Sequence, residues 1–149
     1  MSSEQQLPCT FLEVEGGYLL RLMKGAPVMH TLEAFLARQE IYGGVISAIG
    51  ALEAVELGYF HREKREYQRR KFSGVYELVS FTGNISRVEG KPFVHAHAVL
   101  SDAEYRPIGG HFFEGIVAVT VEAYIRRLSG NIRRTPDEET GLKLLEFDR

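Results

Sequence analysis

Hydrophobic and polar positions change period along this chain. Apolar residues recur in two extended runs, Thr10 to Glu15 and Tyr18 to Met23, joined at Gly16-Gly17. A Gly-Gly joint between such runs predicts a β-hairpin, because glycine adopts the positive φ that tight turns need. Over residues 31–40 the period lengthens. Leu32, Phe35 and Leu36 fall at helical spacing behind Thr31, whose hydroxyl can cap a helix start, so an amphipathic helix is predicted there, ended by Gly43-Gly44. Beyond it the pattern is that of strands, over 45–49, 54–61, 75–85, 93–100 and 112–125, rich in β-branched and aromatic residues and punctuated by glycine. One helix among many strands predicts an α+β domain with a central, mostly antiparallel sheet and a few helices, not alternating βαβ units. In the last run Phe112, Phe113, Ile116, Val117 and Val119 place apolar side chains on both faces, as a strand does when covered on both sides, for instance at a subunit contact.

At 149 residues with 44% hydrophobic content, the chain suits one domain with a core of its own, read as residues 9–149 behind a flexible polar tail over 1–8. A net charge of −2 supplies no global attraction to nucleic acid. The single cysteine, Cys9, excludes an intrachain disulfide and fits a reducing compartment; without a sequence-adjacent base or second thiol it is no nucleophile. There is no charged-then-apolar leader and no apolar run of about 18 residues, so neither a secretory signal nor a membrane span is predicted, and the expected location is the cytoplasm.

The chemistry concentrates in Pro92-Phe93-Val94-His95-Ala96-His97-Ala98-Val99-Leu100, followed fourteen residues after His97 by Gly109-Gly110-His111. Side chains alternate across a strand, so His95 and His97 share a face. A hairpin centred near Glu104 would set position 111 opposite position 97, with cross-strand partners about 5 Å apart. Three imidazoles would then converge on one point, a donor set for zinc or another divalent metal with a position left open for water or a ligand. Histidines in strands are more often packed or hydrogen-bonded than ligating, so the reading depends on that register. His30, before the helix, and His61, at a strand end, lack ligand spacing to the triad. Gly109 and Gly110 fit either a simple turn or a close backbone approach beside the metal.

The chain resembles the plants-and-prokaryotes-conserved (PPC) domain family in its stand-alone prokaryotic form. The resemblance rests on Ile46-Ser-Ala-Ile-Gly-Ala51 leading to Leu57-Gly58-Tyr59, on Tyr76-Glu77-Leu78 and Gly83-Asn84-Ile85, on His95-Ala-His97 with Leu100-Ser-Asp102, on Gly109-Gly110-His111, and on Val117-Ala-Val-Thr-Val-Glu122; the tail from Thr135 to Leu145 fits as well. It implies a PPC-like α+β fold assembled as a homotrimer, and metal ligation by histidines at the positions of His95, His97 and His111. Plant relatives are nuclear proteins that carry AT-hooks built on an Arg-Gly-Arg-Pro core. That core is absent from this sequence, so DNA is not the favoured partner.

Two further readings stand beside a metal-binding module with a small-molecule ligand at the metal. Arg62-Glu-Lys-Arg-Glu-Tyr-Gln-Arg-Arg-Lys71 carries a net +4, through Arg62, Lys64, Arg65, Arg69, Arg70 and Lys71 against two glutamates. These cations could neutralise phosphates in a DNA-associated protein, with Tyr67 stacking on a base, although a charge run is more commonly a solvated strand. A zinc-dependent lyase or hydrolase, as in pterin synthases with three histidines on a sheet, would need an acid or base beside the metal. Glu114 and Asp102 are nearest in sequence. Alternation turns Glu114 away from His111, and Asp102 suits a turn cap.

Overall fold

The computed structural model describes residues 6–148, so residues 1–5 of the tail expected over 1–8 lie outside the described residues. Described elements run β1 (Cys9–Val14), β2 (Gly17–Met23), α1 (Val28–Arg38), β3 (Gly44–His61), β4 (Glu66–Val88), β5 (Lys91–Ser101), β6 (Pro107–Arg127), β7 (Arg133–Pro136) and β8 (Lys143–Glu146). The fold is a small, mostly β-sheet domain. Among the described residues it has one helix rather than a few, and that helix is too short to cross a membrane.

The expected β1–β2 hairpin is present, Val14 pairing with Gly17 around Gly16 at φ +79°. The helix starts earlier than its apolar spacing suggested. Pro27 is the N-cap residue, and Thr31 is fully buried in the first turn instead of capping it. Nor do Gly43-Gly44 end the helix. Glu40, at φ +52°, donates its N–H to the Ala37 carbonyl, and Ile41 donates to Leu36, a Schellman-type close with glutamate in the left-handed position.

The strands expected at 45–49 and 54–61 are one long strand, β3. It runs through register shifts at Gly50 and Ala54, where it bends without breaking. Gly50 is needed there because a Cβ would collide with the Thr120 carbonyl of β6. The sheet order is β1-β2-β6-β3-β4-β7-β8, antiparallel except for the single parallel bridge Arg87–Arg133. β5 lies off this path, pairing with β4 on one side and β6 on the other. Since β3 also pairs with both β4 and β6, the four long strands close into a ring.

The core lies between the sheet and α1. It includes Leu32, Phe35 and Leu36 of the helix with Leu52, Phe81, Ile85, Phe112, Val121 and Ile125 of the strands, all essentially sealed from solvent. Phe112 and Val117 of the two-faced apolar run belong to it. Val119 points outward and is 65% exposed, alongside Ile49 and Val79 at 58% and 54%.

Candidate metal centre

Strand alternation along β5 buries Val94, Ala96, Ala98 and Leu100 in the core and turns His95 and His97 to the other face. The hairpin that follows turns at 102–106. Asp102 Oδ1 accepts the Glu104 and Arg106 backbone N–H groups, Oδ2 accepts Arg106 Nε at 2.8 Å, and Tyr105 takes φ +63°. Asp102 is therefore a turn residue. The turn fixes the register: His97 pairs with His111, and Ala98 with Gly110. The third imidazole thus arrives opposite the second, as the spacing predicted. Gly110 serves a close approach, since a Cβ would lie 2.9 Å from the Gly58 carbonyl.

The three imidazole centroids are 5.2, 5.3 and 5.7 Å apart, and one ring nitrogen of each lies within 4.8 Å of the others. Zinc–nitrogen bonds of about 2.1 Å space tetrahedral ligands about 3.4 Å apart, a tighter set than the 4.8 Å within which these nitrogens lie. Two of the donors are also held unprotonated. Burial, with help from His95, His97 and Arg69, holds His111 down to about 4, and burial followed by Arg134 and His97 lowers His95. Both rings therefore offer a lone pair at neutral pH.

The surrounding side chains position the rings. Tyr67 Oη lies 3.4 Å from His111 Nδ1, with ring centroids 4.7 Å apart, and Phe113 packs edge-on against both rings. Gly58, which pairs with His111, makes this packing feasible, because a Cβ would overlap the Phe113 ring. Arg134 of β7 reaches back to β4. Nη2 donates to Asn84 Oδ1 at 2.7 Å, Nε to Ser86 Oγ at 2.9 Å and Nη1 to the Lys143 carbonyl at 2.9 Å; Nη2 also lies 3.4 Å from His95 Nδ1. Sequence reasoning missed Arg134, because its place beside His95 depends on the Arg87–Arg133 bridge, which no local pattern announces.

Other expected sites fall elsewhere. Glu114 faces away from His111, its carboxylate accepting the Met29, His30 and Gly115 N–H groups, so it caps α1. Within the basic run, Arg69 forks onto Glu56 at 3.0 and 2.9 Å and lies 3.8 Å over the Phe113 ring, Arg65 donates to the Glu138 carbonyl, and Arg70 lies over Phe72. Arg62, Lys64 and Lys71 are exposed, whereas Tyr67 is packed against His111 and Phe113. His61 bonds Gln68 at 2.8 Å, and His30 is exposed in the first helical turn.

Beside the triad a cleft of about 350 Å³ opens between α1, β5, β6 and the β7–β8 hairpin, bounded by His95, His111, Tyr67, Phe93, Phe113 and Arg134. Glu33 of α1 also lines it, half-buried, with burial raising its carboxyl above the usual range. Nothing in the sequence set Glu33 apart from the other polar positions of an amphipathic helix.

A ring of long antiparallel strands carrying a three-histidine cluster defines a small β-sheet domain with a metal-site geometry. The chain belongs to the Plants and Prokaryotes Conserved (PCC, or PPC) domain family, whose model matches residues 12–139. The fold is similar to that of a PPC protein of Pyrococcus horikoshii, at 34% identity and a TM-score of 0.85 over 100% of this chain and 99% of that one. It is also similar to a metal-containing protein of Archaeoglobus fulgidus, at 38% identity and a TM-score of 0.83 over 93% and 99%. A protein of Bacteroides thetaiotaomicron described as a candidate DNA-binding protein matches at 25% identity and a TM-score of 0.92, over 95% and 99%. In sequence, the bifunctional protein GlmU of a Synechococcus strain is 30% identical over 148 residues; this chain spans 22% of its length.

Proposed function

We propose that this protein is a metal-binding member of its family in which His95, His97 and His111 hold a divalent ion, zinc in the first instance. The observation that carries the reading is the His97–His111 pair with His95 on the same face, three ring nitrogens within mutual reach. Burial of His95 and His111 keeps two of the donors unprotonated, and the Archaeoglobus relative is described as metal-containing. Bound there, zinc would supply Lewis acidity at an open coordination position. Tyr67 and Arg134 orient two of the rings, and Phe113 keeps water from one side of His111. The test is metal content per subunit by plasma mass spectrometry on protein purified without a chelator, against a variant with His95, His97 and His111 all changed to Ala. Near-stoichiometric zinc that vanishes in the variant supports the reading. Native protein that neither carries nor takes up zinc overturns it.

A lyase or hydrolase reading keeps an acid within the cleft only through Glu33 among the carboxylates considered, because Asp102 and Glu114 are committed to a turn and a helix cap. The DNA-associated reading draws on the exposed cations Arg62, Lys64, Arg70 and Lys71 and on the description of the Bacteroides relative. It predicts salt-dependent DNA affinity that disappears when Arg69 and Arg70 are neutralised. Unchanged binding after charge reversal there would sink it.

Self-association completes the proposal. Ile49, Val79 and Val119 form an open apolar strip on the sheet face opposite the helix, the kind of surface a subunit contact covers. A homotrimer in the cytoplasm is the assembly we infer. Sedimentation velocity of the native chain against Val119→Lys reads it.

A further inference from the structure

Four cations of this molecule sit in ion pairs among the described residues. Arg69 has Glu56, Arg106 has Asp102 and Glu104, Arg133 has Asp148, and Lys143 has Glu89. Arg134 differs. Its hydrogen-bond partners are an amide oxygen, a hydroxyl, a backbone carbonyl and an imidazole, all uncharged, and among the described residues no carboxylate pairs with it. A guanidinium has five N–H donors, and these four contacts leave one on Nη1 without an acceptor among the described residues. A partly desolvated cation with no counter-ion is electrostatically unfavourable until an anion joins it.

The place where that anion would join is already shaped. Arg134 lines the cleft, its guanidinium 5.5 Å from the Phe93 ring centroid, and His95 and His111 form the neighbouring wall. Met29, Phe113, Leu142 and Leu144 also line it. Positive charge at one end and aromatic and aliphatic walls over the rest make a site for an amphiphilic anion; inorganic phosphate or a sugar would leave the walls unused. A planar carboxylate matches the guanidinium fork. Glu33, the acid in the cleft, is engaged by a hydrogen bond from the Val94 backbone.

We propose that the cleft binds a small carboxylate with an apolar body of about the size of a phenyl group, the carboxylate lying between Arg134 and the open side of the His95, His97, His111 triad and the body between Phe93 and Phe113. The proposal rests on the metal reading, because a divalent ion on the three imidazoles supplies the second positive group.

The experiment is titration calorimetry of the zinc-loaded native protein with 3-phenylpropanoate, 3-phenylpropanamide and acetate, zinc being counted on the same sample by mass spectrometry. Phenylpropanoate is expected to bind at least about tenfold more tightly than either the amide, which lacks the charge, or acetate, which lacks the body. Phe93→Ala should retain zinc and lose the preference over acetate, and Arg134→Gln, compared at equal zinc content counted on the same sample, should lose the selectivity for the carboxylate. Zinc retained with the amide matching the carboxylate, or acetate matching phenylpropanoate, overturns the ligand class alone. Native protein that takes up no zinc overturns both readings. The ligand series is read on the native chain, so neither result depends on how well the variants fold.

Discussion

Glu114 Oε1 lies 2.7 Å from the backbone nitrogen of Met29, so a strand residue near the candidate site caps a helix eighty-five positions earlier in the chain. The first N–H groups of a helix have no intrahelical acceptor, and Pro27 offers no side-chain bond to them. Glu114→Ala is therefore expected to cost about 1 kcal/mol and lower the melting temperature by about 3 °C, with zinc content unchanged. Lost zinc at full stability would return Glu114 to the site.

Tyr67 acts through His111. Outer partners of ligating histidines typically contribute about tenfold or more to metal affinity, so Tyr67→Phe should weaken zinc binding by about that factor in a competition assay with a chromophoric chelator. The ring packing with Phe113 survives the change, so melting should move little. Unaltered affinity would reduce the 3.4 Å contact to packing.

Acid should destabilise the metal-free fold through the same histidine. His111 titrates near 4 in the folded chain and near 6.5 when unfolded, so between those values the unfolded state binds more protons. Stability should fall as pH drops below about 6.5, flattening for this group below about 4; the depressed His95 adds in the same direction. Urea midpoints followed by circular dichroism across that window should show a shallower slope in His111→Ala. An identical slope would show that the burial of His111 does not govern acid sensitivity.

Gly83 pairs with Ala96, between the two histidines of β5. A Cβ at Gly83 would run into the His95 carbonyl and lie 2.8 Å from the Ala96 Cβ, so the strands would have to part. Gly83→Ala is expected to cost about 1–3 kcal/mol and to weaken zinc binding along with it. A fully stable variant with native zinc affinity would show that β4 and β5 can separate without disturbing His95.

The histidine triad was legible because it needs only two short-range facts, alternation within a strand and the register of one hairpin, and Asp102 and Tyr105 supply the turn that sets that register. The strand pattern was legible too, but its breaks were not. Gly50 reads as punctuation between strands and Ala54 as the start of the second, yet both are bends within β3, because β4 and β6 pair with it on both sides and carry it through. The helix start was misplaced for a comparable reason: its cap comes from Glu114, outside any window that contains the helix. Arg134 and Glu33 join the cleft through packing of distant segments, for which the chain carries no periodic signal.

Closure of β3, β4, β5 and β6 on one another has a kinetic corollary. His97 lies between Thr82 on one strand and His111 on the next, and His111 lies between His97 and Gly58, so neither occupies a sheet edge from which pairing could fray. Amide hydrogens in this part of the ring have no local route to solvent and should exchange with deuterium only when the whole domain opens. The lifetime of the histidine cluster is then the lifetime of the fold itself.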